Sequence, residues 1–192
     1  MKDLKGTKTE KNLNDAFAGE SMARNKYTYF ASVARNEGYE QIAAIFLETA
    51  ENEREHAKIH FKYLNGIGDT LANLQSAWEG ENYEYETMYP QMAKDATDEG
   101  FDDVARSMKL IGDVEKEHRE RYAKLREAVK NGTVFKRNTK VQWKCRNCGY
   151  IFEGESAPEV CPACKHAKKF FEVKVENYWY KIYNKHKIFT HK

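Results

Sequence analysis

The chain has 192 residues, 32% of them charged, with a net charge of +2 and a mean hydropathy of −0.87, which is room for one sizeable domain and a small one. It holds no run of roughly 20 apolar residues such as a membrane span needs, and its first residues, MKDLKGTKTEKN, lack the apolar core of a secretory signal. A soluble cytoplasmic protein without a membrane partner is the expectation.

Four long helical patterns fill the first two thirds. The first opens at Thr7–Glu10 (TKTE), a capping-box pattern, and runs to about Glu37, where Gly38 stops it. The second runs from about Tyr39 to Leu64 and stops at Asn65–Gly66. The third spans about Thr70 to Glu99, and Pro90 inside it predicts a kink, because proline removes a backbone donor. The fourth spans Phe101 to Lys130 and stops at Asn131–Gly132. From Thr133 the pattern alternates and is rich in β-branched and aromatic residues, which predicts a linker and short strands. The domain boundary is therefore placed at residues 134/135. Residues 1–133 carry 19 Lys and Arg against 25 Asp and Glu, a balance of −6; residues 134–192 carry 13 against 5, a balance of +8. The basic excess is confined to the cysteine-bearing end, a poor fit to nucleic-acid binding.

The helical part repeats itself. Residues 36–56 (NEGYEQIAAIFLETAENEREH) lie over 98–118 (DEGFDDVARSMKLIGDVEKEH) without a gap, and Gly19–Glu20 corresponds to Gly80–Glu81. The period of about 62 residues is too long for a solenoid. A duplicated helical hairpin forming a four-helix bundle fits it.

Each helix carries an apolar stripe at alternating steps of three and four. On the second it is Ile42, Phe46, Thr49, Glu53, His56, His60 and Tyr63; on the fourth, Val104, Met108, Ile111, Glu115, His118, Tyr122, Leu125 and Val129. Glu20 falls on the stripe of the first helix, and Glu81 and Glu84 on that of the third. Arg54, Glu55, Lys116 and Glu117 lie off the stripes and are ordinary solvated residues. Burying one unpaired carboxylate costs several kcal/mol, so four along facing stripes call for a cation. Residues three apart project from one helix face, so each ExxH offers a carboxylate and an imidazole to one metal. Two ExxH helices and two single-Glu helices supply the carboxylate-bridged dimetal site of ferritin-like bundles, and mixed Glu/His ligation suits iron or manganese. Glu84 is surplus to that set. Tyr27 and Tyr89 lie near the same level, as core aromatics or as hydrogen-bonding neighbours of the ligands.

The four cysteines form two CxxC knuckles, Cys145/Cys148 and Cys161/Cys164, separated by 12 residues. Four thiolates in tetrahedral array bind zinc or iron, and spacing alone does not choose between them.

In order along the chain, AFAGESMARNKYTYF, ETAENEREHAK, ENYEYETMYP, EKEH and WKCRNCGYIFEG…APEVCPACKH resemble the rubrerythrin family over about residues 1–176. The resemblance implies a mostly α fold: a ferritin-like four-helix bundle over 1–134, then a small rubredoxin-like β/knuckle domain over 135–192. It implies two non-haem irons held by Glu20, Glu53, His56, Glu81, Glu84, Glu115 and His118, with Glu53 and Glu115 bridging. One iron would move between His56 and Glu84 with redox state. A further iron would be held by Cys145, Cys148, Cys161 and Cys164. The implied reaction is reduction of hydrogen peroxide to water, fed from NADH through a separate reductase or rubredoxin-type carrier. The implied assembly is a homodimer in which the thiolate-held iron of one subunit approaches the di-iron site of the other. The competing expectations are a ferritin-type iron-storage protein and a non-enzymatic zinc-ribbon protein. The segment ENYWYKIYNKHKIFTHK, 176–192, is longer and more basic than the family pattern; an extra strand, an interface arm, a disordered tail and a docking patch are its candidate readings.

Overall fold

The computed structural model describes residues 3–177, so the expectations for the tail beyond 177 lie outside the described residues. Helix α1 (Lys8–Asn36) starts where the capping signal places it: the Thr7 hydroxyl accepts from the Glu10 N–H at 3.1 Å. The Glu10 carboxylate reaches back to the Gly6 N–H, 2.6 Å away, one residue beyond the usual capping-box partner. Helix α2 spans Glu40–Tyr63 and helix α5 spans Asp102–Lys130. The third pattern is divided into α3 (Thr70–Tyr83), a π-turn (Glu84–Met88) and α4 (Tyr89–Asp98).

The two hairpin turns are built alike, as the repeat requires. Gly38 (φ 87°) and Gly100 (φ 82°) take the left-handed conformation. The residue after each, Tyr39 or Phe101, donates its N–H to Ala34 or Ala96, both at 2.8 Å. This is the Schellman closure of a helix C-terminus, repeated at corresponding positions.

Small residues form the seam inside each hairpin. Ala31, Ala34, Ala43, Ala50 and Ala57 are buried between α1 and α2; Ala93, Ala96, Ala105 and Gly112 are buried in the second hairpin. A Cβ at Gly112 would lie 3.2 Å from Cβ of Tyr89. Small seams let the backbones approach closely, and the larger apolar groups are left on the hairpin faces. Much of the stripe expected to be core is consequently exposed: Ile42 by 46%, Val104 by 47% and Ile111 by 42%.

The break expected at Pro90 takes the form of the π-turn, a local rewinding. Pro90 has no N–H for the Glu86 carbonyl, and the Tyr89 N–H bonds to the Glu84 carbonyl, five residues back. Arg119 on α5 braces this turn: its Nη1 lies 3.2 Å from Asn82 Oδ1 and 2.7 Å from Glu86 Oε1, and its guanidinium sits 4.6 Å from the Tyr85 ring centre.

The chain divides into two compact units between Tyr122 and Ala123, within α5. In the second unit β1 (Lys136–Cys145) is the centre of a three-stranded antiparallel sheet, flanked by β2 (Ile151–Ser156) and β3 (Phe171–Val173). Trp143 is opposite Phe152 on one side and Val173 on the other. It is fully buried with Cys145, Ala157, Cys161 and Phe171. No described helix is long and apolar enough to cross a membrane.

Candidate metal centres

Six of the seven predicted Glu and His ligands form two groups of three, one per hairpin. Glu20, Glu53 and His56 bring their donor atoms within 4.8 Å of one another, and so do Glu81, Glu115 and His118. His56 Nδ1 lies 2.9 Å from Glu53 and 3.9 Å from Glu20; His118 Nδ1 lies 2.8 Å from Glu115 and 3.4 Å from Glu81. Phase separates each motif as the stripes require. Glu53 and Glu115 are 17% and 12% exposed, whereas Arg54 and Glu55 beside them are 56% and 49% exposed.

The carboxylates are in each other's way. Glu20 is raised above the usual carboxylate range, first by its hydrogen bond to Glu53 and then by burial. Glu53 is lowered by the same bond and by His56. Glu81 is raised by burial and by its hydrogen bond to Glu115. In each group, then, two carboxylates crowd one another beside an imidazole. Carboxylates crowded in this way mark where a cation would be favoured. The donor set of two carboxylates and one imidazole per group fits hard or borderline ions such as iron.

Glu84 stands in the first residue of the π-turn, half-buried and apart from both groups of three. Tyr89 links it to them electrostatically: its phenol is pushed up by burial and by Glu115, Glu84 and Glu81. Tyr27 instead packs by its ring, 6.2 Å from Phe46 and 6.3 Å from Phe30, as a core aromatic does. His60 is half-buried and its charge acts on Glu20, in keeping with a satisfied polar neighbour. Sequence reasoning missed Arg119, because a charge next to ExxH reads as a solvated residue. Its signal would have been the acid Glu86 close before Pro90.

The four cysteine sulfurs also lie within 4.8 Å of one another. Sγ of Cys145 is 3.7 Å from that of Cys164, and Sγ of Cys148 is 3.7 Å from that of Cys161. Both knuckles have one backbone pattern. Cys145 N–H donates to Tyr150 and Gly149 N–H donates back to Cys145; Cys161 N–H donates to His166 and Lys165 N–H donates back to Cys161. The residue after each knuckle is left-handed: Gly149 at φ 79° and, unusually, Lys165 at φ 62°. A backbone hydrogen bond from His166 holds the Cys164 thiol down at about 6. At Cys148 a backbone bond from Tyr150 pulls the other way, but hydrogen bonds from the other thiols, Cys164 foremost, and burial push it up to about 12. Thiols crowded this closely, with one shifted toward the thiolate, fit a single tetrahedral metal.

Comparison with known proteins finds two family models along the chain. The family model described as rubrerythrin matches residues 11–126, and that of the rubrerythrin rubredoxin-like domain matches 143–172. Rubrerythrin-1 of Clostridium acetobutylicum is 52% identical, over 93% of this chain and 100% of its own length. Rubrerythrin of Nitratidesulfovibrio vulgaris is 47% identical, over 90% of this chain and 97% of its own. The chain belongs to the rubrerythrin family. Among solved structures, partially reduced nigerythrin is 32% identical over 90% of this chain and 89% of its own, with a TM-score of 0.34. Rubrerythrins are di-iron, peroxidase-type oxidoreductases of oxidative-stress protection, with a ferritin-like domain and a rubredoxin-like iron domain. The carboxylate–histidine groups and the four-thiol group of this chain are the donor sets that such centres use.

Proposed function

We propose that the protein reduces hydrogen peroxide to water in the cytoplasm, as a homodimer supplied with electrons from NADH through a separate reductase or rubredoxin-type carrier. The observation that carries the reading is one chain holding two matching Glu/Glu/His groups together with a four-thiol site. An iron-storage protein has no use for the thiol relay, and a zinc ribbon has none for the paired carboxylates.

Peroxide takes up two electrons and two protons, its O–O bond breaks, and two waters leave. A bound iron pair would supply the two electrons. Glu20, Glu53, Glu81, Glu84, Glu115, His56 and His118 would hold it, with Glu53 and Glu115, at 17% and 12% exposure, as its most sheltered donors among the clustered carboxylates. His56, 53% exposed, would be the ligand given up, and Glu84 the carboxylate that takes its place. The Tyr89 phenol stays protonated beside three carboxylates, so it is available to donate a hydrogen bond. Cys145, Cys148, Cys161 and Cys164 would hold a single iron, a one-electron carrier.

The test is anaerobic reduction of the iron-loaded protein followed by rapid mixing with peroxide. Fast reoxidation, with two electrons consumed per peroxide, is expected. Unchanged turnover in Glu20→Ala and His56→Ala would remove the di-iron assignment, and zinc at the thiol site with no iron in the helices would favour the zinc-ribbon alternative.

A further inference from the structure

The turn that carries Glu84 is fastened to the helix that carries His118 by a side chain that no step of the proposed reaction uses. We infer that Arg119 is a positioning residue: by pinning the π-turn to α5 it keeps Tyr89 in line with Glu84, on the face that bears Glu81. The inference rests on the di-iron reading above.

Three observations carry it. The first is the phase of the turn. Each residue of an α-helix advances it by about 100°, so residues five apart point about 140° away from each other. In an unbroken helix Tyr89 would therefore leave the face of Glu84, which Glu81 shares from three residues before. The rewinding prevents this. The Tyr89 N–H bonds to the Glu84 carbonyl, so one wide turn sets residue 89 above residue 84. The side chain follows: Cβ of Tyr89 lies against Gly112, where an added Cβ would be 3.2 Å away. Gly112 is buried and stands three residues before Glu115 on α5, and residues three apart share a helix face. Tyr89 is thus brought to the ligand-bearing side of both helical segments.

The second is what holds the turn. Arg119 Nη1 donates to Asn82 Oδ1 at 3.2 Å and to Glu86 Oε1 at 2.7 Å, and its guanidinium lies 4.6 Å from the centre of the Tyr85 ring. Asn82, Tyr85 and Glu86 flank Glu84 on both sides. One planar cation therefore fixes the residues before and after the carboxylate, by a charge-assisted bond, a second hydrogen bond and a stack on an aromatic face. A lysine ammonium lacks the flat fork that meets all three. The third is where Arg119 stands. It follows His118 directly, and it is 20% exposed while Lys116 and Glu117 before it are in solvent. His118 Nδ1 reaches Glu115 at 2.8 Å and Glu81 at 3.4 Å. One turn of α5 thus meets α3 through the ligands and the π-turn through Arg119. Glu81, Glu115 and His118 hold one another without the turn, so release of Arg119 acts first on Glu84 and Tyr89.

The experiment uses the full chain, metal-free and iron-loaded, as wild type, Arg119→Gln, Arg119→Lys, Tyr89→Phe, and Arg119→Gln combined with Tyr89→Phe. In metal-free protein, loss of the charge-assisted bond should speed hydrogen exchange of the Tyr89 amide by about tenfold or more in Arg119→Gln. Arg119→Lys should lie between, and the amides of α1 and α2 should stay as in wild type. Wild-type protection of the Tyr89 amide in Arg119→Gln would overturn the brace. In iron-loaded protein, Arg119→Gln should keep its helix-bound iron, because the six clustered ligands are untouched. Reoxidation of the reduced protein by peroxide should nevertheless slow about tenfold. That slowing should disappear in the Tyr89→Phe background, because a brace acting through the phenol then has nothing to position. A merely structural role would slow both backgrounds alike, and that result would overturn the inference. If Arg119→Gln does not fold, Glu86→Ala removes the ion pair from its exposed end; faster exchange at Tyr89 is again expected, and wild-type exchange there would overturn the brace. Wild-type protein without helix-bound iron would overturn the di-iron reading instead, and the Tyr89 amide would still decide the brace.

Discussion

Removing the Trp143 ring should separate the stability of the small domain from that of the helices. Trp143 is fully buried, and its Nε1–H donates to the Gly154 carbonyl at 2.9 Å. Its neighbours in the core are Cys145, Ala157, Cys161 and Phe171, all from the same small unit. Trp143→Ala costs about 3–5 kcal/mol in lost burial and cavity. Trp143→Phe keeps most of the bulk but leaves the Gly154 carbonyl without its donor, a cost of about 1–3 kcal/mol. A core of this size rarely supplies more than about 3–5 kcal/mol, so the Ala variant should leave the metal as the main force holding the domain. At about 4–8 °C per kcal/mol for a small domain, visible absorbance of the iron-loaded Ala variant should bleach at least roughly 12 °C below wild type, with Phe in between. The far-ultraviolet helical signal should melt where it does in wild type. If the Ala variant bleached within a few degrees of wild type, the Trp143 core would not be what supports the knuckles.

The second knuckle offers a smaller, signed test. Lys165 holds a left-handed conformation that costs an L residue about 1–2 kcal/mol, so Lys165→Gly should raise stability by up to about 1 kcal/mol after the added chain entropy; Gly149→Ala should lower it by about 1–2 kcal/mol, both read by denaturant melting. Cys164→Ser removes the thiol that the His166 N–H holds as thiolate; metal analysis should show loss of the thiol-bound iron with helix-bound iron kept, and peroxide turnover fed by the external donor should fall far more than a single turnover of pre-reduced protein. In chelated protein, Glu20 and Glu81 lie above the ordinary 4.5, so the native state holds protons that the unfolded chain has lost. Their contribution is complete below 4.5 and is lost as pH rises through the raised values, whereas that of Glu53, which is lowered, is lost as pH falls below 4.5. The melting temperature without metal should therefore fall as pH rises just above 4.5, and Glu20→Gln with Glu81→Gln should flatten that slope.

Most of the site was legible because it broke a pattern. Glu53 and Glu115 occupy stripe positions where Phe and Ile would be ordinary, and the structure finds them sheltered while Arg54 and Glu55 stay in solvent. Gly38 and Gly100 marked their turns because a left-handed residue closes each helix. The π-turn was not legible. Pro90 announces a missing donor, but whether the helix bends or rewinds depends on a brace from Arg119, 29 residues away in sequence and on another helix. Lys165 escaped for the opposite reason: the rule for a knuckle turn asks for glycine, and only the matching hydrogen bonds of the two knuckles reveal that lysine takes its place. The stripes marked which faces are apolar. They carry no information on which chain covers them.

The seams and the stripes of the helical part do different work, and that difference connects folding to metal. The alanine seams close each hairpin. Joining one hairpin face to the other would bring Glu53 and Glu115 together, and like charges in a sheltered site repel strongly unless a cation or protons lie between them. Four carboxylates crowded across the join call for compensating positive charge. Metal binding and closure of the apolar faces are therefore linked: iron that binds only the joined form stabilises it by mass action. The sheltered carboxylates that would otherwise count against this bundle make its assembly conditional on the cation it is built to use.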